Sequence, residues 1–357
     1  MPTSRIYWRL HSLQQHFKSE ASLPLNLAMA TGSKLFLSLF LQLLSILFLF
    51  NPTNAQGLKI GFYEKSCPKV ELIVKNVAAD TMSKAPSLAG ALLRMFFHDC
   101  FVRGCDGSIL LDSPTNQSEK DAFPNLSLRG YQIIDRAKAE IEKECPGVVS
   151  CSDILALIAR DIVAARNGPS WEVETGRRDG NVSIITDAFQ NLPGPGFNIS
   201  QLITRFQQKG LSVKDLAVLS AGHTLGVSHC FSFSNRLYNF TGKGINNDAD
   251  PTLDPNYVAK LKVKCKPADT TTIVEMDPGS FSTFDNDYYK LVTKRRGLFQ
   301  SDATLLDNAE TKAYVELHAI QKESFFQDFG VSMVKMGRIG VLTGIQGEIR
   351  KVCSKVN

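Results

Sequence analysis

Eight cysteines constrain the fold of this 357-residue chain more than any other feature of its sequence. They are Cys67, Cys100, Cys105, Cys145, Cys151, Cys230, Cys265 and Cys353. Their even number favours a disulfide framework formed in an oxidising compartment, and the lack of any C-x-x-C pair argues against a zinc ribbon or a thioredoxin-type redox site. The residues alone leave the pairing open, because eight cysteines can be joined in many ways.

The N-terminal segment, residues 1–55, predicts export. Lys34 precedes an apolar run from Leu35 to Phe50, and small residues follow up to Ala55. A positive start, a short apolar run and a small residue at the boundary are typical of a secretory signal peptide cleaved after Ala55. A membrane anchor is the alternative, but the run is shorter than the roughly 20 residues that a span needs. Met29 is an alternative translation start, and with either start the mature domain comprises residues 56–357.

Composition and charge exclude several classes of protein. With 43% hydrophobic and 21% charged residues, the chain is neither disordered nor fibrous. The net charge is +5, and residues 1–55 contribute +3, which leaves +2 (5 − 3) for the mature chain and excludes a charge-driven nucleic-acid binder. Five N-x-S/T sequons predict N-glycans on a secreted protein. They are at Asn116, Asn125, Asn181, Asn198 and Asn239.

Helical patterns dominate the mature chain and predict a mainly α fold with minimal β structure. Apolar residues recur at helical spacing in five segments. These are 70–77, 88–96, 154–163, 212–219 and 325–336. The segment 154–163 is apolar on most sides and predicts a central buried helix, and Ser212 with Asp215 resembles a capping box. Strand-like alternation is confined to Trp171–Glu174.

The first candidate site follows the helix over 88–96. Arg94 and His98 are four residues apart, so on a helix they face the same space. A base beside a fixed cation suits a reaction that moves a proton while negative charge develops nearby. An ordinary surface pair is the alternative. Asp99, Asp106 and Ser108 offer oxygens that a hard cation such as calcium prefers.

The second candidate is His223, which ends the apolar helix over 212–219. A metal-ligand role and a satisfied core histidine both remain open from the residues alone. His229 and His318 lie in no dense polar motif and have only a structural interpretation. A secreted zinc hydrolase that uses His98 and His223 is excluded, because no third ligand lies near them in the sequence.

Several motifs together resemble the secreted plant peroxidases of class III, the horseradish type. The segment Arg94-x-x-Phe97-His98-Asp99-Cys100 resembles the distal haem motif, and Leu219-Ser-Ala-Gly-His223-Thr224 resembles the proximal one. Further matches are 118–121, 176–180, 284–286 and 336–337, and the similarity runs from Gln56 to Cys353. The resemblance implies two helical halves that enclose one noncovalent b-type haem, and the lack of a C-x-x-C-H motif is consistent with that.

The resemblance also implies roles for individual residues. His223 becomes the proximal iron ligand with Asp302 as its partner, and Phe97 contacts the haem. His98 becomes the acid–base residue, Arg94 stabilises the developing charge, and Asn125 keeps His98 basic. Asn125 is also in a sequon, and we expect it to carry no glycan because a buried amide has no room for one.

Calcium, disulfides and donor binding follow from the same resemblance. The distal calcium ligands are Asp99, Val102, Gly104, Asp106, Ser108 and, through a water, Glu119; the proximal ligands are Thr224, Asp277, Ser280, Thr283 and Asp285. Ser280 and Thr283 differ from the commonest residues of the family. The implied disulfides are Cys67–Cys145, Cys100–Cys105, Cys151–Cys353 and Cys230–Cys265. Pro193 matches the proline at the mouth of the donor channel.

The implied function is the oxidation of phenolic donors by H2O2 in successive one-electron steps. We expect a glycosylated monomer in the apoplast or cell wall, since the C-terminal extension of vacuolar relatives is missing here. A non-catalytic secreted protein that binds calcium or the cell wall on the same scaffold is the alternative. Neither a nucleic acid nor a membrane span after signal cleavage is expected.

Overall fold

The structure is a computed structural model that describes residues 57–243 and 248–357. The predicted signal peptide, its cleavage after Ala55 and the alternative start at Met29 lie outside the described residues. Thirteen α-helices occur in the described part of the chain. They are α1 (Val70–Lys84), α2 (Leu88–Val102), α3 (Tyr131–Glu144), α4 (Cys151–Ala165), α5 (Ile185–Asn191), α6 (Ile199–Gln208), α7 (Val213–Ser220), α8 (Ser234–Leu237), α9 (Pro255–Lys264), α10 (Asp287–Thr293), α11 (Gln300–Ala303), α12 (Ala309–Ile320) and α13 (Lys322–Met336).

Helix α4 is the centre of the first half. The hydroxyl of Ser150 caps it by accepting a hydrogen bond from the backbone N–H of Asp153 at 3.1 Å. Every residue from Cys151 to Val163 is buried, which confirms the prediction of a central buried helix. Helices α1, α2 and α3 pack on α4, so the helix with Arg94 and His98 is held against the core of this half.

Helix α7 occupies the corresponding place in the second half, where α6, α12 and α13 pack around it. The predicted capping box is present, because Ser212 and Asp215 exchange hydrogen bonds between side chain and backbone. The helix ends at Ser220, and His223 lies in the short 3-10 turn Ala221–Thr224 that follows. A smaller apolar cluster surrounds the disulfide Cys230–Cys265.

The β structure consists of one antiparallel pair among the described residues. Strand β1 (Val227–His229) pairs with β2 (Ile273–Glu275), with Val227 opposite Glu275. The strand expected at Trp171–Glu174 is wrong. That segment is extended but has no partner strand, and only the next residue, Thr175, forms an isolated bridge, to Lys59.

Four disulfides cross-link the fold, and three of them join residues that are 35 to 202 positions apart. They are Cys67–Cys145, Cys100–Cys105, Cys151–Cys353 and Cys230–Cys265, which agrees with the pairing that the resemblance implies. No free cysteine remains in the described part of the chain. Within the same residues, no helix is both long and apolar enough to cross a bilayer.

Candidate active site

Helix α2 places Arg94 and His98 on one face, as the four-residue spacing predicts. The Nε of Arg94 donates a hydrogen bond to Nε2 of His98 at 3.1 Å. The two other guanidinium nitrogens donate to the hydroxyl of Ser127 at 2.9 Å and to the carbonyl of Pro124 at 2.5 Å. The cation is therefore fixed at three points. Burial lowers the pKa of Arg94 to about 10, so it stays charged at neutral pH.

The imidazole of His98 is buried and neutral. Its Nδ1 donates to Oδ1 of Asn125 at 2.5 Å, and the amide of Asn125 donates to the carbonyl of Glu119 at 2.6 Å. Because the amide fixes the carbonyl oxygen of Asn125 toward the ring, the proton of His98 is on Nδ1 and the lone pair is on Nε2. Burial and the charge of Arg94 hold the pKa of His98 well below its usual value. His98 is thus a base with its free nitrogen fixed beside a guanidinium.

The second histidine, His223, is oriented by a buried carboxylate. Its Nδ1 donates to Oδ1 of Asp302 at 2.7 Å, and Phe299 and Tyr288 place their ring edges against the imidazole. The His223 side chain is 39% exposed, although Asp302 is only 1% exposed. Within the described residues, Nε2 of His223 has no hydrogen bond to the protein. An imidazole fixed through one nitrogen with the other left open has the arrangement of a metal ligand with its supporting carboxylate.

Asp302 accepts two further hydrogen bonds. The hydroxyl of Tyr288 donates to Oδ1 at 3.0 Å, and the backbone N–H of Phe299 donates to Oδ2 at 2.8 Å. Burial alone would raise the pKa of Asp302, but His223 and these donors hold it below its usual value. The carboxylate therefore remains charged in a fully buried position and is available to His223.

Two glycines bring the histidine-bearing elements together. A side chain at Gly90 of α2 would lie 2.8 Å from the Cα of Gly226, just after the His223 turn. Gly226 has a φ of +99°, a conformation that other residues rarely adopt. Leu93 also lies against the turn, near Gly222. The elements that carry the base and the open imidazole are thus in direct contact.

The end of α2 and the loop after it bring together the acidic side chains of Asp99, Asp106 and Glu119. Asp99 and Glu119 are fully buried, and both oxygens of Glu119 and the hydroxyl of Ser108 lack any hydrogen-bond partner. Burial, reinforced by neighbouring carboxylates, raises the pKa of Asp99 well above its usual value and that of Glu119 to about 9. Burial likewise raises the pKa of Asp106. These orphaned oxygens fit a cation, because a buried carboxylate needs a positive partner.

The carbonyls predicted as calcium ligands in this loop already have contacts. The ammonium of Lys209 lies 3.3 Å from the carbonyl of Val102, and the N–H of Asp106 donates to the carbonyl of Gly104 at 2.7 Å. The buried guanidinium of Arg350 donates to the carbonyls of Asp106 at 3.2 Å and Gly107 at 2.7 Å. The C-terminal segment therefore packs against this loop and closes it by binding its backbone carbonyls.

A second acidic cluster follows His223. The hydroxyl of Thr224 donates to Asp277 at 3.1 Å and lies 3.3 Å from Asp285, and the hydroxyl of Ser280 donates to Asp285 at 2.5 Å. Burial and the charge of Asp285 raise the pKa of Asp277 to about 7. Thr283 lies in the same turn through its backbone N–H, which donates to the carbonyl of Ser280. In the described part of the chain, no group of three or more His, Cys, Asp or Glu forms a metal site by itself, so hydroxyls and carbonyls must complete either set.

Two predicted residues lie at the margins of the site. The ring of Phe97 packs edge-on against His98 and tilts against Phe101. Pro193 is partly buried in the connector between α5 and α6. The carbonyl of Pro195 in that connector accepts the N–H of Ser301 at 2.9 Å, which anchors it beside Asp302.

Ser127 and Tyr288 are part of the site, although the sequence did not predict them. Ser127 anchors Arg94 from 33 residues away, and Tyr288 donates to Asp302. Neither is at helical spacing from its partner. Only their position near Asn125 and Asp285 in the sequence could have indicated them.

The sequence has close relatives among known proteins. The family model described as Peroxidase matches residues 74–321. Peroxidase 56 of Arabidopsis thaliana is 64% identical over 322 residues, which cover 89% of this chain and 97% of the relative. The chain belongs to the plant haem peroxidases of class III.

Two further relatives agree with this assignment. Peroxidase 27 of Arabidopsis thaliana is 64% identical over 321 residues, 89% of this chain and 98% of the relative. Peroxidase 1 of Oryza sativa subsp. japonica is 59% identical over 300 residues, 83% of this chain and 92% of the relative. The peroxidase is therefore a haem-dependent oxidoreductase that uses H2O2 and a reducing donor, and no observation favours the non-catalytic alternative.

Proposed function

We propose that this peroxidase oxidises phenolic donors with His98 and Arg94 as its peroxide-activating pair and His223 as its haem ligand. The observation that carries the proposal is the contrast between the two histidines: His98 is a neutral buried base, whereas His223 is open at Nε2 and fixed by Asp302. His223 would hold the iron of a noncovalent b-type haem through Nε2, and Phe97 and Phe299, whose rings contact the two histidines, would supply apolar surroundings. Bound haem would supply the redox chemistry, passing oxidising equivalents from peroxide to donors.

The residues on the distal side explain how a peroxide O–O bond can be broken. Peroxide entering the pocket replaces the hydrogen bond between Arg94 and His98 and gives a proton to Nε2 of His98. The same nitrogen returns that proton to the departing oxygen, and the guanidinium of Arg94 stabilises the negative charge that develops there. Asn125 holds the proton on Nδ1, so that Nε2 remains the basic nitrogen throughout.

We further propose two calcium ions with structural roles. The distal ion is bound by the side chains of Asp99, Asp106 and Ser108, by the Val102 and Gly104 carbonyls and, through a water, by Glu119. The proximal ion is bound by Thr224, Asp277, Ser280, Thr283 and Asp285. Asp99 and Thr224 each adjoin a histidine of the site. Calcium therefore holds the two histidines in place.

The setting we propose is the apoplast or cell wall, with a glycosylated monomer as the acting form. Four disulfides support an oxidising compartment. Pro193, at the mouth of the proposed donor channel, would contact aromatic donors entering beside the anchored connector.

A spectrum and a turnover assay test the proposed function. Secreted protein purified with haem is expected to show a Soret band and to oxidise guaiacol with H2O2. A protein that binds haem but leaves guaiacol unchanged would contradict the catalytic assignment. A protein that binds calcium but no haem would support the non-catalytic alternative.

Asp302→Asn is expected to weaken the effect of this residue on His223 while leaving Arg94 and His98 unchanged. An amide accepts the hydrogen bond from Nδ1 less strongly than a carboxylate does, so the imidazole has less negative character. The Fe(III)/Fe(II) potential should therefore rise, and activity should fall by about 10–100-fold. Asp328→Asn is the matched control, because Asp328 binds His318, a buried histidine outside the proposed site, at 3.1 Å. Equal potentials in Asp302→Asn and wild type would show that Asp302 is not the partner of His223.

Asn125 is expected to carry no glycan although it is in a sequon. Its amide is 1% exposed and bonded at both ends, to His98 and to the carbonyl of Glu119. Enzymatic deglycosylation in water enriched in oxygen-18, followed by peptide mass spectrometry, would convert every occupied asparagine to a labelled aspartate. Label at Asn125 in active protein would contradict its role as the partner of His98.

A further inference from the structure

A continuous series of aromatic rings leads from His223 to the protein surface. Ring centroids are 6.0 Å apart between His223 and Tyr288, and 5.4 Å apart between Tyr288 and Tyr289. The series continues from Tyr289 to His318 at 5.3 Å and from His318 to Tyr314 at 5.9 Å. Each separation is in the range of direct ring contact. Tyr288, Tyr289 and His318 are buried, whereas Tyr314 is partly exposed on α12.

We propose that Tyr314 is a second oxidation site, for phenolic groups on polymers too large to reach the haem. This rests on the proposed function, since His223 begins the series as the haem ligand. Tyr314 loses one electron through the rings to the oxidised haem and one proton to solvent. It then takes a hydrogen atom from the phenolic group of the polymer, which becomes a phenoxyl radical. Two such events supply the two electrons that reduce one H2O2 to two waters, so H2O2 is the oxidant for both.

The available proton acceptors determine which residue of the series can keep the electron hole as a stable radical. A phenol that loses an electron must also release its proton. The hydroxyl of Tyr289 donates only to the carbonyl of Ala217 at 3.2 Å, a group that does not take up protons. Tyr289 is therefore a bridge. The hydroxyl of Tyr288 donates to Asp302 at 3.0 Å, but a proton passed to this buried carboxylate stays beside the ring and returns to it when the electron hole moves on. The hydroxyl of Tyr314 has no hydrogen bond to any described residue, so bulk water can carry its proton away, and the radical then remains at the surface.

The charges around Tyr314 are balanced. The ammonium of Lys214 lies 5.4 Å from the Tyr314 ring centroid and by itself would disfavour loss of an electron. The carboxylate of Asp328 lies 2.7 Å from this ammonium and balances its charge. Asp328 also accepts a hydrogen bond from Nε2 of His318 at 3.1 Å. The ring that joins Tyr314 to the interior is thus held in one orientation by the same carboxylate.

Another partly exposed aromatic side chain, Trp171, reaches the same cluster by a less suitable route. Its ring contacts Phe329 at 5.9 Å, and Phe329 leads through Phe325 to Tyr289. Phenyl rings are much harder to oxidise than phenols. Tyr314 is therefore the surface position that the series favours.

Tyr238 provides a matched control. It is also partly exposed, and the ammonium of Lys262 lies 5.0 Å from its ring centroid. Within the described residues it has no contact with another aromatic ring, and its hydroxyl donates to the carbonyl of Cys265 at 2.8 Å. Tyr314→Phe and Tyr238→Phe both keep their rings, so both variants are expected to fold.

The experiment compares haem-loaded wild type with these two variants. One measurement is the electron paramagnetic resonance spectrum after rapid freezing with H2O2. The other is the oxidation rate of free tyramine and of tyramine coupled to dextran, which have the same phenol on very different carriers. We expect a tyrosyl radical in wild type and Tyr238→Phe and none in Tyr314→Phe. We also expect Tyr314→Phe to oxidise tyramine–dextran roughly tenfold more slowly and free tyramine at the normal rate.

The outcomes separate this proposal from the proposed function. Wild type that oxidises neither probe would overturn both. Wild type that oxidises free tyramine but not tyramine–dextran would overturn the role of Tyr314 alone. An unchanged tyramine–dextran rate or radical signal in Tyr314→Phe, or a tryptophan radical in place of the tyrosyl one, would do the same.

Discussion

His98→Ala is expected to slow the reaction with H2O2 by about 10²–10⁴-fold or more, while haem remains bound. The substitution removes the base that lies beside Arg94, and it leaves the guanidinium without its contact at Nε2. In the proposed site haem binding would depend on His223, which the change does not touch. Stopped-flow measurement of the bimolecular rate with peroxide, together with the Soret absorbance, checks both expectations.

His229→Ala is the control for this experiment. His229 is partly buried, stacks on Phe231 at 5.4 Å and has no contact with Arg94 or Asn125. It should react with peroxide at the wild-type rate. A normal peroxide rate in His98→Ala would mean that another group removes the proton, and the distal assignment would then be wrong.

Removal of calcium is expected to lower the melting temperature and the activity together. Without a cation, Asp99 beside Asp106 and Asp277 beside Asp285 must either repel each other as carboxylates or take up protons, and in both cases the two loops lose the ion that holds their oxygens together. A ligand present at a hundredfold excess over its Kd stabilises the folded state by about 2.7 kcal/mol. In a domain of roughly 300 residues, whose unfolding entropy is about 0.6 kcal/mol/K, that corresponds to roughly 4 °C in Tm for each ion. The disulfides should keep the chain folded, so the loss of activity should be partial.

Prolonged EGTA treatment, elemental analysis and calorimetry measure this effect, and calcium rather than magnesium should reverse it. Asp106→Asn should resemble the chelated enzyme and respond less to EGTA. Asp161→Asn is the control, since Asp161 is a buried carboxylate paired with Arg160 at 2.8 Å. Full activity and unchanged Tm in protein shown to be free of calcium would contradict both calcium sites.

Periodicity predicted the helices well, because each long helix has an apolar stripe that must be buried. It also placed Arg94 and His98 together, since their partnership is a property of one helix. Asn125 and Asp302 could not be found in this way, as they are 27 and 79 residues from the histidines they bind. They were predicted only through the resemblance to a family.

The wrong strand and the unpredicted contacts have a common physical reason. Alternation at Trp171–Glu174 describes one strand, but a strand also needs a neighbour, which the local sequence does not specify. Ser127 and Tyr288 likewise act through hydrogen bonds between loops that are distant in the chain. Such pairs depend on how helices pack, and no local pattern encodes that.

The buried guanidinium of Arg350 also determines when this enzyme can mature. It closes the loop at Asp106 and Gly107 although 244 residues separate Asp106 from Arg350. At a synthesis rate of about 5–20 residues per second, the ribosome needs roughly 10–50 s to cover that interval. During this time the acidic loop exists without the residue that closes it. The loop therefore acquires its final form only after residues 350–353 have left the ribosome, and Cys353 can pair with Cys151 only then.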